Sequence, residues 1–324
     1  MGDAAGIGPE IVAKVFTEKS IWAESSPLVI GDKKIMEDAI SVTKVRLKLN
    51  TIEKINQARF EEGTINILEV PVLKGYNVDI GKVNPKCGEA SVAYVKLACR
   101  LALNREIDTT TSAPVNKEAM HAAGYNYEGQ TQIFAEICNV KDYAMMLISG
   151  NLRLFFVTNH LPLKEVSSKI RKGRIYTVIG LAHQALLMQG IDKPRIAVSG
   201  LNPHSGDGGL LGQEEIEEIT PAIKQAQSEG MTAIGPVPPD TVFIMAKEGK
   251  CDAVISMYHD HGTTAMKLLG FKNIVTVLVG LPIIRTSVGH GTAFDIAGKG
   301  IADHANLLEA ALVAVRMAKN RDNN

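Results

Sequence analysis

Short apolar runs alternate along the chain with longer amphipathic stretches. The runs are rich in β-branched residues, as expected of strands buried in a sheet. We predict strands at Pro27–Ile30, Val45–Leu49, Ile65–Val70, Ala144–Ser149, Leu152–Thr158, Arg195–Ser199, Ala253–Met257 and Ile274–Val279. We predict helices at Pro9–Phe16, Lys33–Ser41, Gly88–Leu103, Thr131–Cys138, Arg174–Met188, Gln213–Ser228, Asp240–Ala246 and Leu307–Ala318. This alternation is typical of an α/β fold.

The chain starts on a glycine-rich turn, Gly2–Gly8, that leads into the first predicted helix. In an α/β fold a strand usually precedes such a turn. None is visible, so we expect that strand to be missing or to lie upstream of the first residue. A glycine-rich turn before a helix can hold a phosphate, or it can simply reverse the chain.

Length and composition narrow the class of protein. A chain of 324 residues suggests two domains. Its 35 Lys and Arg balance 35 Asp and Glu, which argues against a nucleic-acid surface. The four cysteines form no CxxC pair, so we expect no disulfide framework and a cytoplasmic location. The longest apolar run, residues 274–284, is too short to cross a bilayer, and we expect no membrane contact.

Three histidines are candidate metal ligands because each follows a predicted strand. They are His160, His204 and His259. Ligand sites of open α/β sheets form at the carboxyl ends of strands, and neutral imidazoles suit a divalent metal. A lone histidine is more often an ordinary surface or hydrogen-bonded residue than a ligand, but three in the same topological place make a metal site about as plausible as that role. His261 competes with His259 for the same role, and spacing does not separate them.

A glycine-rich loop lies between the predicted strand ending at Ser199 and the helix from Gln213. Its glycines Gly206, Gly208, Gly209 and Gly212 are candidates for binding a nucleotide cofactor, since they allow close approach to a phosphate. The spacing is not GxGxxG, and a tight turn explains the glycines equally well.

Three cations near polar loops could bind an anionic substrate: Lys117, Lys267 and Arg285. Arginine forks onto phosphate or carboxylate, whereas lysine acts as a point charge. Most lysines and arginines are merely solvated. Arg285, which follows an apolar run and precedes a polar one, is the better candidate, and Lys117 is comparable.

Together these segments resemble one family, the 4-hydroxythreonine-4-phosphate dehydrogenases or PdxA-type enzymes. The resemblance covers essentially the whole chain, in order. The matching stretches are Met1–Glu10, Ala113–Lys117, His160–Leu163, Gly200–Gly206, Pro239–Thr241, Met257–Gly262, Gly280–Ser287 and His290–Ala293.

The resemblance implies an isocitrate-dehydrogenase-like α/β/α sandwich of two domains with the active site in the cleft between them. The first domain would comprise residues 1–125 and 281–324. The second, residues 126–280, would carry the metal site and the dimer interface. Family members are homodimers whose active site is shared between subunits, so a homodimer is expected here.

The resemblance also implies a reaction. A secondary alcohol on a phosphorylated four-carbon acid is oxidised with NAD or NADP, and the β-keto acid then loses carbon dioxide. One divalent metal (Zn, Mn, Mg, Co or Ni) is required, held at His160, His204 and His259 with one ligand from the partner subunit. Substrate-contacting positions of the family fall on Gln130, Thr131, Lys267, Thr276 and Arg285. A general base is also needed, for which Lys117 and Asp240 are candidates.

Two departures from the family pattern lie in the substrate pocket. The family has Gly-His-Thr-Glu where this chain has Gly129–Gln132, and asparagine where Thr276 stands. Gln130 keeps hydrogen bonding but cannot relay a proton. We therefore expect the catabolic branch, which acts on 4-phospho-D-threonate or 4-phospho-D-erythronate, with pyridoxal-phosphate biosynthesis as the alternative. The phosphate-free cis-dihydrodiol dehydrogenases fit less well because Lys267 and Arg285 remain.

Two other classes of protein are compatible with the same residues. A metal-dependent hydrolase or lyase could use the three histidines without a nicotinamide. A non-catalytic phosphate-binding protein would need neither cofactor nor metal. NADH formation and a stoichiometric metal distinguish the dehydrogenase from both.

Overall fold

The computed structural model describes residues 1–269 and 274–323. Its strands are β1 Leu28–Gly31, β2 Lys48–Ile52, β3 Thr64–Glu69, β4 Thr109–Ser112, β5 Ala144–Ser149, β6 Leu152–Phe156, β7 Arg195–Ser199, β8 Thr232–Val237, β9 Ala253–Ser256, β10 Val275–Val279 and β11 Ile284–Val288. Its α-helices are α1 Gly8–Val15, α2 Lys19–Glu24, α3 Lys33–Thr43, α4 Pro85–Leu103, α5 Lys117–Ala122, α6 Gln130–Ile137, α7 Leu163–Lys169, α8 Lys172–Met188, α9 Thr220–Ser228, α10 Val242–Lys247, α11 His259–Leu268 and α12 Ala305–Asn323. The α/β prediction is confirmed.

The chain divides into two compact units. One comprises Met1–Lys141 with Leu281–Ala318, and the other Asp142–Gly280 with Lys319–Asn324. Residues 126–141, which the sequence analysis assigns to the second domain, lie in the first unit because α6 packs against α4. The end of α12 joins the second unit, where the Asn320 side chain donates to the Met188 carbonyl at 3.1 Å.

In the first unit, three parallel strands lie in the order β1-β3-β2. Alternation along β3 sends Ile67 to one face, where it packs with Met36 of α3, and Leu68 to the other, where it packs with Tyr94 of α4. Helices therefore cover this sheet on both faces.

The strands β4 and β11 pair in parallel in the same unit. Thr111 is opposite Thr286, and their hydroxyls lie 3.0 Å apart. The Thr286 hydroxyl also donates to the Ala310 carbonyl at 2.9 Å, so this face of the pair is covered by α12. The preceding register pair, Thr110 and Arg285, therefore points to the opposite face.

The second unit is built on six strands in the order β10-β5-β6-β9-β7-β8. From β6 to β8 the strands run parallel, whereas β5 is antiparallel to both of its neighbours. Leu154 and Phe156 pack with residues of α10 and α11. Phe155 between them points to the opposite face, and α8 packs on the same strands. Helix, sheet and helix thus form three layers.

Several predicted elements differ from the structure for a physical reason. The strands β4 and β11 are absent from the predicted strands because their hydroxyl groups and one arginine interrupt any apolar pattern. The strand β8, which contains Gly235 and Pro236, is also absent from them. The helix expected from Gln213 begins instead with a π-helical turn at Glu215–Ile219, and α9 follows it. Within the described ranges, no helix is long and apolar enough to span a membrane.

Candidate active site

The start of α6 in the first unit is a potential anion site. The residue before the helix is Gly129, which has no side chain to cap the first amides. The chain approaching it is held by the Glu128 amide, which donates to the Gln132 side chain at 3.0 Å. Uncapped amides and the helix dipole together favour a negatively charged ligand.

Arg285 lies next to this helix start and is almost fully buried, with 3% of its surface exposed. Its guanidinium carbon sits 5.3 Å from the centre of the Phe134 ring, and Nη2 donates to Gln130 Oε1 at 3.4 Å. Burial lowers the pKa of Arg285 to about 10, so the side chain remains charged at neutral pH. Among residues 1–269 and 274–323 no carboxylate pairs with it. A buried cation without a counter-ion is costly unless an anionic ligand supplies one.

Gln130 connects this arginine to the segment that follows β4. Its amide nitrogen donates to the Ala113 carbonyl at 2.9 Å while its oxygen faces Arg285. Both ends of the side chain are therefore used, and only 8% of the residue is exposed. The next residue, Thr131, is half-buried in the first turn of α6.

Lys117 belongs to the same group of side chains. It is exposed at the start of α5, which Asn116 caps by accepting from the Ala119 amide at 2.8 Å. The Lys117 Cε lies 3.8 Å from the position that a Cβ on Gly129 would occupy. The structure thus brings together Lys117, Gln130, Thr131 and Arg285, which we call the anion group.

Two of the predicted metal ligands are neighbours in the second unit. The rings of His160 and His259 lie 5.2 Å apart, centre to centre. His259 Nδ1 lies 2.8 Å from the Asp260 carboxylate. Because a carboxylate only accepts, Nδ1 carries the proton, and Nε2 keeps its lone pair for a metal. Such a carboxylate–histidine pair is typical of metal ligands.

His261, the rival candidate, has both ring nitrogens engaged within its own unit. Nδ1 lies 3.3 Å from the Ser256 hydroxyl and Nε2 3.2 Å from the Pro239 carbonyl. A carbonyl can only accept, so Nε2 carries the proton and is not available to a metal. This arrangement favours His259 as the ligand.

His204 lies in a loop with an unusual backbone. From His204 to Gly208, five successive residues have φ between 45° and 79°. Left-handed conformations are strained for residues other than glycine and persist only where surrounding contacts impose them. The loop leaves the His204 side chain exposed.

Glu215 fixes the conformation of this loop, and it is not among the candidate residues predicted from the sequence. The residue is 3% exposed, and its Oε1 accepts from the backbone amides of Leu201 and Asn202, both at 2.8 Å. Its Oε2 accepts from the Asn202 side chain at 2.9 Å. The available signal was the pair of glutamates directly after the glycine-rich loop, where a carboxylate can bond turn amides.

The four glycines proposed for cofactor binding, Gly206, Gly208, Gly209 and Gly212, all have positive φ. A Cβ on Gly206 would lie 2.8 Å from Glu215 Oε2, and one on Gly209 would lie 2.9 Å from the Gln213 side chain. Backbone conformation and local packing therefore already require glycine at these points. Their contact with a nucleotide stays a prediction.

The remaining predicted residues lie in the second unit. Asp240 is exposed and lines a cavity of about 520 Å³ with Tyr258 and His261. Lys267 is exposed on α11, and Thr276 is half-buried on β10. In the part of the chain that the structure describes, no three His, Cys, Asp or Glu side chains group around a common metal position. The set of His160, His204 and His259 therefore stays a prediction that includes a partner's ligand.

The family model "Pyridoxal phosphate biosynthetic protein PdxA" matches residues 23–314. The chain is 42% identical to the D-threonate 4-phosphate dehydrogenase of Cupriavidus necator, covering 99% of this chain and 96% of that one. It is 41% identical to the enzyme of the same name from Salmonella typhimurium, covering 98% and 97%. A solved 4-hydroxythreonine-4-phosphate dehydrogenase from Burkholderia phymatum matches with a TM-score of 0.87 at 42% identity, covering 98% and 96%.

Proposed function

The chain belongs to the PdxA family, and from that premise we propose that it is a dehydrogenase of a phosphorylated four-carbon hydroxy acid. The substrate we propose is 4-phospho-D-threonate or its relative 4-phospho-D-erythronate. The names of the curated relatives support this choice over the amino acid substrate of pyridoxal-phosphate biosynthesis. Gln130, which stands where the family has histidine, supports it as well.

The observation that carries the proposal is the unpaired charge of Arg285. Its guanidinium is buried against Phe134 and Gln130 beside the uncapped start of α6. The natural occupant is the substrate phosphate, which would accept from both the arginine and the helix amides. Lys117 would add positive charge around the same ligand, and contact of Lys267 with the substrate stays a prediction.

The histidines fit a divalent metal by their chemistry. His259 presents Nε2 through its bond to Asp260, and His160 lies beside it. We propose that these two and His204 hold the ion, with one ligand drawn from a second copy in a homodimer. When bound, the metal would polarise the substrate oxygens, and NAD or NADP would take up the hydride.

The chain's own residues then bind, orient and move protons. Oxidation of the secondary alcohol requires a group that accepts its hydroxyl proton, and the β-keto acid so formed releases carbon dioxide. Of the two candidate bases, Lys117 stands within the anion group, beside Gly129. Asp240 lies in the unit that carries the predicted metal histidines, so both residues remain candidates for the base.

Replacing Arg285 tests the proposal. Arg285→Lys keeps a charge but loses the fork, and we expect kcat/KM for 4-phospho-D-threonate to fall about 100-fold, mainly through KM. Arg174→Lys is the control, because Arg174 is a half-buried arginine of the second unit that donates to the carbonyls of Val157 and Tyr143. An Arg285 variant with unchanged KM and a normal melting temperature would contradict the phosphate assignment.

A further inference from the structure

Two buried polar atoms that find no hydrogen-bond partner among the described residues lie on adjacent strands of the first unit. They are the Thr110 hydroxyl on β4 and Arg285 Nε on β11. The two residues are direct register partners, and they are 5% and 3% exposed. Buried polar atoms are normally satisfied, so a coincident pair of exceptions calls for an explanation.

Both side chains point to the same face of the strand pair. The next register pair is Thr111 and Thr286, whose hydroxyls are in contact. This pair faces α12, because the Thr286 hydroxyl donates to the Ala310 carbonyl of that helix. Side chains alternate along a strand, and paired strands lie about 4.8 Å apart. Thr110 and Arg285 are therefore lateral neighbours on the face away from α12.

This face is polar along its length. The register pair after Thr110 and Arg285 on the same face is Ser112 and Ser287, both small hydroxyl residues. The Gln130 side chain extends from α6 to this face, where its Oε1 accepts a hydrogen bond from Arg285 Nη2. The face therefore resembles the wall of a binding site more than a packed apolar layer.

The chemistry of the two atoms is complementary. Nε–H is a donor without an acceptor, and a threonine hydroxyl has two acceptor lone pairs. A guanidinium held at both Nε and one Nη has its plane fixed, which leaves the remaining N–H groups directed at one point.

We propose that Thr110 is a positioning residue for Arg285. When an anion occupies the site, the Thr110 hydroxyl accepts from Nε–H and orients the guanidinium toward the ligand. This inference rests on the proposed function, since it takes the anion to be the substrate phosphate. It concerns a residue that neither the family resemblance nor its substrate positions include.

Thr110→Val tests the proposal because it removes the hydroxyl and keeps the shape. We expect KM for 4-phospho-D-threonate, and the inhibition constant of inorganic phosphate, to rise about tenfold, with kcat within about twofold. Thr110→Ser keeps the hydroxyl that Thr110→Val lacks, so both constants should stay near the wild-type values. Thr110→Ala provides a second hydroxyl-free variant if valine impairs folding.

Thr111→Val is the matched control. It makes the same chemical change one residue along, on the face covered by α12. We expect it to lower the melting temperature while KM stays unchanged. A rise in KM in Thr111→Val as large as that in Thr110→Val would show a general effect of strand stability and overturn the proposal.

The outcomes also separate this inference from the proposed function. If Arg285→Lys raises KM but Thr110→Val does not, the anion site stands and the role of Thr110 is refuted. If inorganic phosphate does not inhibit the wild-type enzyme and Arg285→Lys leaves KM unchanged, the anion site fails and the inference falls with it. A KM rise in Thr110→Val that serine reverses supports both.

Discussion

Asp3 and Arg285 are two buried ionisable residues of the first unit, and burial has opposite consequences for them. Arg285 keeps its charge and lacks a counter-ion. The Asp3 carboxyl is 0% exposed, accepts from the Ala5 amide at 2.8 Å and has an Oδ2 without a partner. Burial raises the pKa of Asp3 to about 6, so this group titrates near neutrality.

The raised pKa of Asp3 predicts that the free energy of unfolding depends on pH. The native carboxyl keeps its proton up to a pH of about 6, whereas the unfolded one loses it near 3.8. Stability therefore falls as the pH rises through that window, by about 3 kcal/mol in full. Asp3→Asn should remove this slope in urea unfolding between about pH 3 and pH 7, a range that brackets both values. The exposed Asp38→Asn is the control, and an unchanged slope in Asp3→Asn would refute the assignment.

Replacing Gln130 with histidine is expected to change the substrate preference. In Gln130→His the imidazole would replace the amide that connects Ala113 with Arg285. We expect the ratio of kcat/KM values to shift about tenfold toward 4-phosphohydroxy-L-threonine. Gln132→Glu is the control, since it changes the other departing position of the tetrapeptide and keeps the acceptor for the Glu128 amide. An unchanged ratio in Gln130→His would place specificity elsewhere.

At the scale of elements, the strained loop after β7 depends on one carboxylate. Glu215 accepts three hydrogen bonds from Leu201 and Asn202, and this holds the left-handed turn that carries His204. Strain at such a turn persists only while those contacts remain.

Glu215→Gln should therefore weaken metal binding without altering a ligand. The new amide nitrogen would face the Asn202 side-chain donor, so one bond is lost and the loop relaxes. We expect metal affinity, measured by chelator competition, to fall about tenfold to 100-fold, and His204→Ala to abolish binding. Glu214→Gln, which touches Asn202 through one bond, is the control. Unchanged affinity in Glu215→Gln would remove its positioning role.

Elements with buried apolar side chains could be predicted from the sequence, whereas the strands rich in hydroxyl residues could not. The strands β5, β6 and β7 are nearly continuous apolar runs, and their predicted ends lie within two residues of the observed ones. In contrast, β4 consists of Thr109–Ser112, and β11 carries Arg285 within hydroxyl residues. Their strand character comes from pairing with each other, which no local pattern reveals.

The same limit applies to the site. His160 and His259 follow strands that proved to be parallel neighbours, and their proximity could be expected from strand ends alone. Thr110 becomes recognisable only once its register with Arg285 is known. Glu215 acts through backbone amides, which the sequence shows only as a loop followed by two glutamates.

At the scale of the whole molecule, each unit contributes a different chemistry. The first holds the anion group around the start of α6, and the second holds the histidines at the ends of its strands. The proposed function requires an anion site for the substrate phosphate and a metal for the substrate oxygens. That the substrate needs both the phosphate site and the metal is the central claim of the proposed function.

NADH formation is the measurement that tests this claim most directly. It should be followed with 4-phospho-D-threonate, 4-phospho-D-erythronate, 4-phosphohydroxy-L-threonine and unphosphorylated D-threonate, each with Mn²⁺, Zn²⁺ or EDTA. We predict metal-dependent turnover of a phosphorylated sugar acid, with little activity on D-threonate and none in EDTA. Equal turnover of D-threonate, or turnover that survives EDTA, would contradict the account.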